Sequence, residues 1–317
     1  MPMSTGRLIL LALALCSLTA CDDRSGRALD AATRGSIVAA LATQVEAHHV
    51  DAVAAARIAA ILRTSRYDDM QDTQALAARL SRDTRLSIGT PAAPLAWWRR
   101  LTDTAGIARY DRIGADIGYI DITHFVSVAR AAPRYARVFH ALAGVRTLIV
   151  DLRQNGGGDA GGLQLLASYM VDRPIHYADL ARRSGPIEAR WAFPQLATRP
   201  YLEQLTVLVG PQTSAEAENF AYAMQAWKRA VVIGSRSAGI TTASGGYPLP
   251  GGLVATIPDA RVTLPLTRTA WDKGIAPDVV TGAGALKEAK RRILTDRLAH
   301  VTTPMGRDAL LALLKAL

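Results

Sequence analysis

The chain has 317 residues, of which 50% are hydrophobic and 20% charged, and its formal net charge is +10 from 37 Lys and Arg against 27 Asp and Glu. So many apolar residues exclude a wholly disordered or low-complexity chain. No uninterrupted apolar run reaches the ~18–20 residues that a spanning helix needs, which excludes a multi-pass membrane protein. The arginines are scattered rather than gathered in a patch with aromatic residues, so we expect no nucleic-acid partner.

The N-terminal segment has the organisation of an export signal. Arg7 precedes an apolar run from Leu8 to Leu18, and Thr19-Ala20-Cys21 follows it. A short basic region, an apolar stretch of ~7–15 residues and small residues before a cleavage point are typical of a secretory signal peptide. A spanning anchor is the alternative, but the run is too short for it.

The end of this run predicts lipid attachment. Leu18-Thr19-Ala20-Cys21 resembles the bacterial lipobox, in which cleavage leaves an N-terminal lipid-modified cysteine. We therefore expect residues 1–20 to be a lipoprotein signal peptide, Cys21 to carry the lipid and residues 21–28 to form a tether. The protein would then be exported and anchored to the cell envelope on the periplasmic face, with Asp22 favouring the inner membrane.

The cysteine and histidine content limits the chemistry of the exported part. Cys16 and Cys21 are the two cysteines, and neither remains as a free thiol after processing at the lipobox. Disulfides, cysteine-based metal sites and a cysteine nucleophile are therefore excluded. No two of the six histidines have a metal-ligand spacing. We expect neither a metal nor a cofactor.

The hydrophobic pattern changes along the chain. Residues 29–90 have apolar side chains every three or four positions, which predicts a helical cap. Residues 91–300 alternate strand and helix patterns, and this alternation predicts an α/β core with a largely parallel sheet. Within that core, residues 173–200 are poorly periodic and are expected to form an excursion or lid. Residues 301–317 are expected to be a C-terminal helical tail. The core elements are predicted as strands at 107–113, 117–122, 147–150, 205–209 and 230–233, and helices at 129–142, 163–171 and 216–227.

A glycine-rich turn is the most informative feature. In Leu148-Ile-Val-Asp-Leu-Arg-Gln-Asn-Gly-Gly-Gly-Asp159, an apolar strand runs into three glycines and then a helix. Glycines allow positive φ and close approach of a ligand to backbone N–H groups. A tight turn without a ligand is the alternative. The spacing fits neither a dinucleotide-binding fingerprint nor a P-loop.

Neighbouring motifs give this turn a family context. It resembles the D-L-R-x-N-x-G-G signature of the tail-specific, or C-terminal processing, serine peptidases, a family that includes the tricorn core protease and interphotoreceptor retinoid-binding protein. Segments beginning at Pro211, Val231, Gly251 and Trp271 resemble later family motifs in the same order. The resemblance implies a ClpP/crotonase-like α/β core behind the helical cap. It also implies that Gly157 and Gly158 lie where the family's oxyanion-hole glycines lie.

The nucleophile position departs from the family pattern. Family chains read T-x-S-A-x-E, and alignment on Thr213 and Glu218 places Ala215 where the catalytic serine belongs. Ser214 lies one position early, which on a helix rotates its side chain by about 100°. We interpret Ser214 as a helix N-cap, with a fallback nucleophile as the alternative.

The positions of the base and its acidic partner also depart from the family pattern. Ile240 stands where the tail-specific branch has a lysine base, and Arg85 where the tricorn-like branch has a histidine. Arginine is not a base at ordinary pH. Asp272 occupies the acidic position near the C-terminal motif, and Ser235 replaces a glutamate. His124 is an alternative base.

These departures predict a catalytically impaired member of the family. On this interpretation the protein is a pseudopeptidase that binds a peptide or protein client, or a lipophilic small molecule, in the old active-site cleft. An active serine endopeptidase that uses Ser214 is the alternative, and a purely structural partner-binding role is a third.

Overall fold

The computed structural model describes residues 29–91, 103–113 and 116–317. The predicted signal peptide and tether, including Cys21, lie outside the described residues. Within the described part of the chain, no helix combines the length and the apolar character needed to cross a membrane.

The N-terminal helices form the predicted cap. In chain order they are α1 (Ala31–His48), α2 (Ala52–Thr64) and α3 (Thr73–Thr84), followed by the short strand β1 (Ser87–Gly89). Each helix begins after an aspartate whose side chain accepts hydrogen bonds from the first-turn N–H groups, namely Asp30, Asp51 and Asp72. These N-caps satisfy donors that have no partner within the helix.

The rest of the chain alternates strands and helices. The strands are β2 (Ile107–Arg112), β3 (Ile117–Ile122), β4 (Thr147–Asp151), β5 (Ile175–Arg182), β6 (Glu188–Ala192), β7 (Gln204–Val209), β8 (Ala230–Gly234), β9 (Thr242–Leu249), β10 (Leu253–Thr263) and β11 (Val279–Val280). The helices are α4 (Val128–Ala141), α5 (Ala160–Tyr169), α6 (Glu216–Ala226), α7 (Ala285–His300) and α8 (Pro304–Lys315). The boundaries predicted for the core elements agree with these to within about three residues.

A six-stranded sheet forms the predicted α/β core. Its order is β11-β8-β7-β4-β3-β2, and all neighbouring pairs are parallel except β2 with β3. All five residues of β4 are buried, as expected for a central parallel strand covered on both faces. Helices α4, α5 and α6 contribute to the core on one face, and α7 packs on the other.

A second, antiparallel sheet was not anticipated. β10 pairs with β1, β5 and β9, and β6 continues the sheet beyond β5. The stretch 173–200, expected to be an excursion or lid, supplies the hairpin β5–β6. The cap packs on this sheet, because side chains of β9 and β10, including Leu249, Leu253 and Ile257, share a hydrophobic core with α1–α3.

Candidate functional site

Three loops meet at the edge formed by the C-terminal ends of the parallel strands, where ligands commonly bind in open α/β sheets. They follow β4, β7 and β8. The Thr213 hydroxyl donates to the Leu152 carbonyl at 2.7 Å, the Ser214 N–H donates to the Asn155 carbonyl at 3.0 Å, and the Ala238 N–H donates to the Thr213 carbonyl at 3.0 Å. The glycine turn and the segment around Ala215 are therefore neighbours, although about 60 residues separate them in sequence.

The Asp-Leu-Arg motif fixes the strand end from which the glycine turn starts. Asp151 is buried and pairs with Arg153 at 2.7 Å, and it accepts a hydrogen bond from the Tyr119 hydroxyl at 2.8 Å. Burial and the neighbouring Asp151 charge both raise the pKa of Tyr119, so this phenol stays protonated and remains a donor. The motif's charged residues thus serve to hold the backbone in place.

Glycine is required at positions 157 and 158 of the turn. Gly157 and Gly158 have φ of 98° and 132°, a region that residues with a side chain rarely adopt. A β-carbon on Gly158 would lie 2.3 Å from the Phe125 carbonyl oxygen. The turn is tied to that segment by a hydrogen bond of 2.8 Å from the Phe125 N–H to the Gly157 carbonyl.

Ala215 has a strained backbone and faces this turn. Its φ of 50° and ψ of −118° are unfavourable for alanine, and it is the residue immediately before α6. A β-carbon placed on Gly157 would lie 2.9 Å from the Ala215 methyl. Strained backbones of this kind cluster at functional sites, where the surrounding structure holds them.

The N-cap interpretation of Ser214 is wrong. The N-cap residue of α6 is Ala215, which makes no side-chain capping hydrogen bond. Ser214 lies one residue outside that position, and its hydroxyl forms no hydrogen bond within the described residues. The hydroxyl lies on the Gly156 side of the turn, 4.0 Å from where a β-carbon on Gly156 would stand. At the start of this helix, the Ala215 N–H instead donates a hydrogen bond to the Glu218 carboxylate, at 3.1 Å.

Glu216 is a site residue that the sequence analysis missed. One oxygen of its carboxylate accepts a hydrogen bond from the Gly158 N–H at 3.0 Å, and a β-carbon on Gly157 would lie 2.7 Å from the same oxygen. Burial raises the pKa of Glu216, and the N–H groups of Gly158 and of Glu216 itself act in the opposite direction. A charged residue stands here where the family pattern has alanine, and that difference was the available signal.

The N–H groups of Gly157 and Gly158 therefore both have partners from the protein. The Gly157 N–H donates to the Asn155 side-chain oxygen at 2.8 Å, and the Gly158 N–H donates to Glu216. The turn has the geometry to bind an oxygen, and in this structure the oxygen bound to Gly158 belongs to the same chain.

Glu218 has a structural role beside the site. Its side chain is fully buried and accepts hydrogen bonds from the N–H groups of Gly239 at 2.6 Å, Ile240 at 2.7 Å and Ala215 at 3.1 Å, and from the Ser237 hydroxyl. The carboxylate thus joins the start of α6 to the loop after β8. The donors that it pairs are buried at Ser237 and partly buried at Ala215, Gly239 and Ile240.

The predicted base positions lie in different surroundings. Arg85 is exposed at the C-terminal end of α3 with φ of 60°, and within the described residues no hydrogen bond or ion pair joins it to the glycine turn. Ile240 lies in the loop held by Glu218 and keeps its side chain 45% exposed. His124 is exposed, and its ring contacts the Thr123 hydroxyl at 3.2 Å. We find no titratable group hydrogen-bonded to Ser214 in the described part of the chain.

The acidic position is occupied by an ion pair. Asp272 binds Arg261 at 2.6 Å and accepts a hydrogen bond from the Thr241 hydroxyl at 2.7 Å. Ser235 donates to the Thr281 carbonyl at 2.8 Å. Across residues 29–91, 103–113 and 116–317, no group of three or more His, Cys, Asp or Glu side chains is placed to hold a metal ion.

Comparison with known proteins places these features in a family. The model for Peptidase family S41 matches residues 116–281. The chain is 30% identical over 176 residues to a carboxyl-terminal-processing protease of Synechocystis sp., covering 53% of this chain and 39% of that protein. It is 28% identical over 206 residues to a chloroplastic C-terminal processing peptidase of Tetradesmus obliquus, covering 61% and 39%.

A solved structure shares the fold over most of its length. A lipoprotein from Streptococcus agalactiae superposes with a TM-score of 0.61 at 16% identity, covering 81% of this chain and 94% of that chain. The alignments with the curated relatives span about two fifths of those proteins' own length. The family match covers just over half of this chain and contains the glycine turn, Ala215 and Glu216; the chain belongs to peptidase family S41.

Proposed function

We propose that this protein is a lipid-anchored pseudopeptidase of the cell envelope. Its family S41 domain, with the helical cap at residues 29–90 and the core at 91–300, keeps a peptide-binding cleft and lacks the serine chemistry. The single observation that carries the proposal is the conformation of Ala215. A strained backbone aims a methyl group at the glycine turn, where a nucleophile would need a hydroxyl.

The surroundings of Ala215 support the same proposal. A serine nucleophile needs a neighbouring base to take its proton. Ile240 has no titratable group, and Arg85 cannot act as a base. Loss of a catalytic serine alone can cost on the order of a million-fold in kcat, so several changes together leave little room for proteolysis by this mechanism.

The retained backbone supports binding of a peptide. The glycine turn keeps its positive-φ geometry, and a loop network with Thr213 and Glu218 holds it in place. Turns of this kind bind a carbonyl or carboxylate oxygen, and here the Gly158 N–H is held by a carboxylate oxygen of Glu216, whose place a peptide oxygen would take. A peptide or protein client is therefore the favoured ligand. A lipophilic small molecule is the second ligand class, by the resemblance to retinoid-binding protein.

Ser214 is the basis of the alternative function, an active serine endopeptidase. Its hydroxyl lies beside the turn on the Gly156 side, but within the described residues no side chain is hydrogen-bonded to it.

Hydrolysis of fluorescein-labelled casein distinguishes the two functions. We expect the purified protein and its Ser214→Ala variant to release no more fluorescence than a buffer blank. Release by the wild-type protein that Ser214→Ala abolishes would establish the active enzyme and refute the pseudopeptidase.

The lipid anchor is tested by fractionation of cells. Leu18-Thr19-Ala20-Cys21 supports cleavage and lipid attachment at Cys21. We expect wild-type protein in the membrane fraction at its processed size, and the Cys21→Ser variant to lose that processing. If the variant is processed and fractionates like wild type, Cys21 is not the anchor.

A further inference from the structure

Glu216 occupies the place where an external oxygen would bind. Its carboxylate accepts a hydrogen bond from the Gly158 N–H at 3.0 Å, and its own N–H at the start of α6 lies beside the turn, 3.3 Å from where a β-carbon on Gly157 would stand. Two convergent backbone donors at a helix N-terminus form a site for an anionic or carbonyl oxygen. A side chain of the same chain fills that site.

A buried donor beside the turn is a second, independent observation. The amide of Asn155 is fully buried, and its oxygen accepts the Gly157 N–H at 2.8 Å. The nitrogen of the same amide has no hydrogen-bond partner within the described residues. Buried polar groups are nearly always paired, so the Asn155 nitrogen is an unusual donor that lacks an acceptor beside the turn.

We propose that the Glu216 carboxylate is an internal occupant of an oxygen-binding site formed by the turn, and that an external carboxylate or carbonyl oxygen binds there by displacing it. That the external oxygen belongs to a peptide rests on the proposed function. The existence of the site and its occupation by Glu216 do not.

The charges around Glu216 set how easily it leaves. Asp159, which caps α5, repels the carboxylate, and Tyr177 of β5 lies close enough for the two to interact. Arg190 and Glu188 of β6 act on the same tyrosine. Burial raises the pKa of Glu216 in the site, so the protonated side chain stays in place more readily than the charged one. Displacement therefore becomes easier as the pH rises.

Acetate is the probe for the site, since it replaces the atoms that Glu216→Ala removes beyond the β-carbon. We expect sodium acetate to raise the melting temperature of Glu216→Ala above the effect of sodium chloride at equal ionic strength. Wild type, the isosteric Glu216→Gln and the exposed control Glu203→Ala should respond to acetate as they respond to chloride. If Glu216→Ala does not fold, Glu216→Ser takes its place with sodium formate as the probe, because the serine hydroxyl fills the position of the γ-carbon and leaves only the space of the carboxylate.

The outcome of the acetate experiment decides the proposal without any peptide. Equal responses in all variants, or none in Glu216→Ala, would refute it.

A separate measurement of binding to fluorescein-labelled casein, by anisotropy, tests whether the external oxygen belongs to a peptide. We expect Glu216→Ala to bind casein about tenfold tighter than wild type at neutral pH, because no side chain has to leave the site before the peptide binds. If the acetate response occurs and casein binds neither protein, the site stands and the proposed function fails. If wild type binds casein tightly and no variant responds to acetate, the proposed function stands and the site fails.

Discussion

At the scale of single residues, Ala215 has a strained backbone, and its side chain is a methyl group that cannot act as a nucleophile. A non-glycine residue at φ 50° and ψ −118° costs of order 1–3 kcal/mol. In an active enzyme, a strained backbone at the nucleophile position exposes the reactive side chain. Here the surrounding contacts hold the same conformation around a methyl group. This is the pattern that the proposed loss of the catalytic serine predicts.

The strain predicts an unusual effect of glycine at this position. Ala215→Gly should increase the free energy of unfolding by about 1 kcal/mol, because the relief of strain exceeds the entropy that glycine adds to the unfolded chain. The control Ala217→Gly, two residues later within α6, should destabilise the protein by about 1 kcal/mol. Urea unfolding of both variants measures the difference. Destabilisation of similar size in the two would show that Ala215 is not strained.

The ionisation of Glu216 predicts a dependence of stability on pH. Burial raises the pKa of Glu216 in the folded protein above its value in the unfolded chain, so the folded state binds the proton more tightly. This stabilisation is fully present below the unfolded pKa, and it is lost as the pH rises through the folded pKa. Glu216→Gln lacks this titration. Its stability relative to wild type should therefore increase between about pH 4 and about pH 8, as measured by urea unfolding at each pH. A constant difference would contradict the buried, ionisable position given to Glu216.

At the scale of elements, one carboxylate joins two segments that the sequence separates. Glu218 lies in the first turn of α6 and accepts from the loop after β8 at Gly239 and Ile240. Removal of the side chain would take the partner away from these partly buried donors and from the buried Ser237 hydroxyl, which costs more than an exposed ion pair contributes.

This arrangement predicts a large loss for Glu218→Ala. We expect a decrease of about 3 kcal/mol or more in the free energy of unfolding. Glu288→Ala, which removes a surface ion pair with Arg291, should cost less than about 1 kcal/mol. Thermal unfolding of the two variants against wild type checks the contrast. Equal losses would show that Glu218 does not anchor the loop.

The sequence predicted the parallel core well, for a physical reason. Strands buried on both faces read as short apolar runs between helix patterns, and β3, β4, β7 and β8 all have that form. The strands of the second sheet are interrupted by residues that obscure the pattern, such as Gly245 and Gly246 in β9 and Pro258 in β10. The pairings of β10 with β1 and with β5 join residues far apart in the chain, and local periodicity carries no information about them.

The candidate site was predicted in part. The glycine turn and Ala215 could be placed together because both belong to family motifs, and the described hydrogen bonds join their loops. Glu216 could not be assigned a role in advance, because its contact with Gly158 depends on how the loop after β7 turns into α6. Ser214 was misjudged for the same reason: the cap position depends on the strained backbone of Ala215, which no local propensity predicts.

At the scale of the whole molecule, the cap and the core share structural elements. The hydrophobic core of α1–α3 includes side chains of β9 and β10, which come from the C-terminal half of the chain. β10 also pairs with β5, whose residues contribute to the central core. The cap is therefore held by strands that also continue towards the core. The glycine turn lies at the opposite end of the parallel strands from a groove beside α7 and α8. That groove, of about 940 Å³, is lined by residues including Thr147, Gln204 and Leu310.

The central claim is that the nucleophile is absent, and fluorophosphonate labelling followed by peptide mapping tests it most directly. Such probes bond covalently to an activated serine hydroxyl. The positive control is the triple variant Ala215→Ser, Glu216→Ala and Ile240→Lys, which supplies a hydroxyl, empties the oxygen site and adds an amine at the lysine position. We expect no label on the wild-type protein and detectable label on the serine at position 215 of the folded triple variant. Stoichiometric labelling of the wild-type protein at Ser214 would contradict the account.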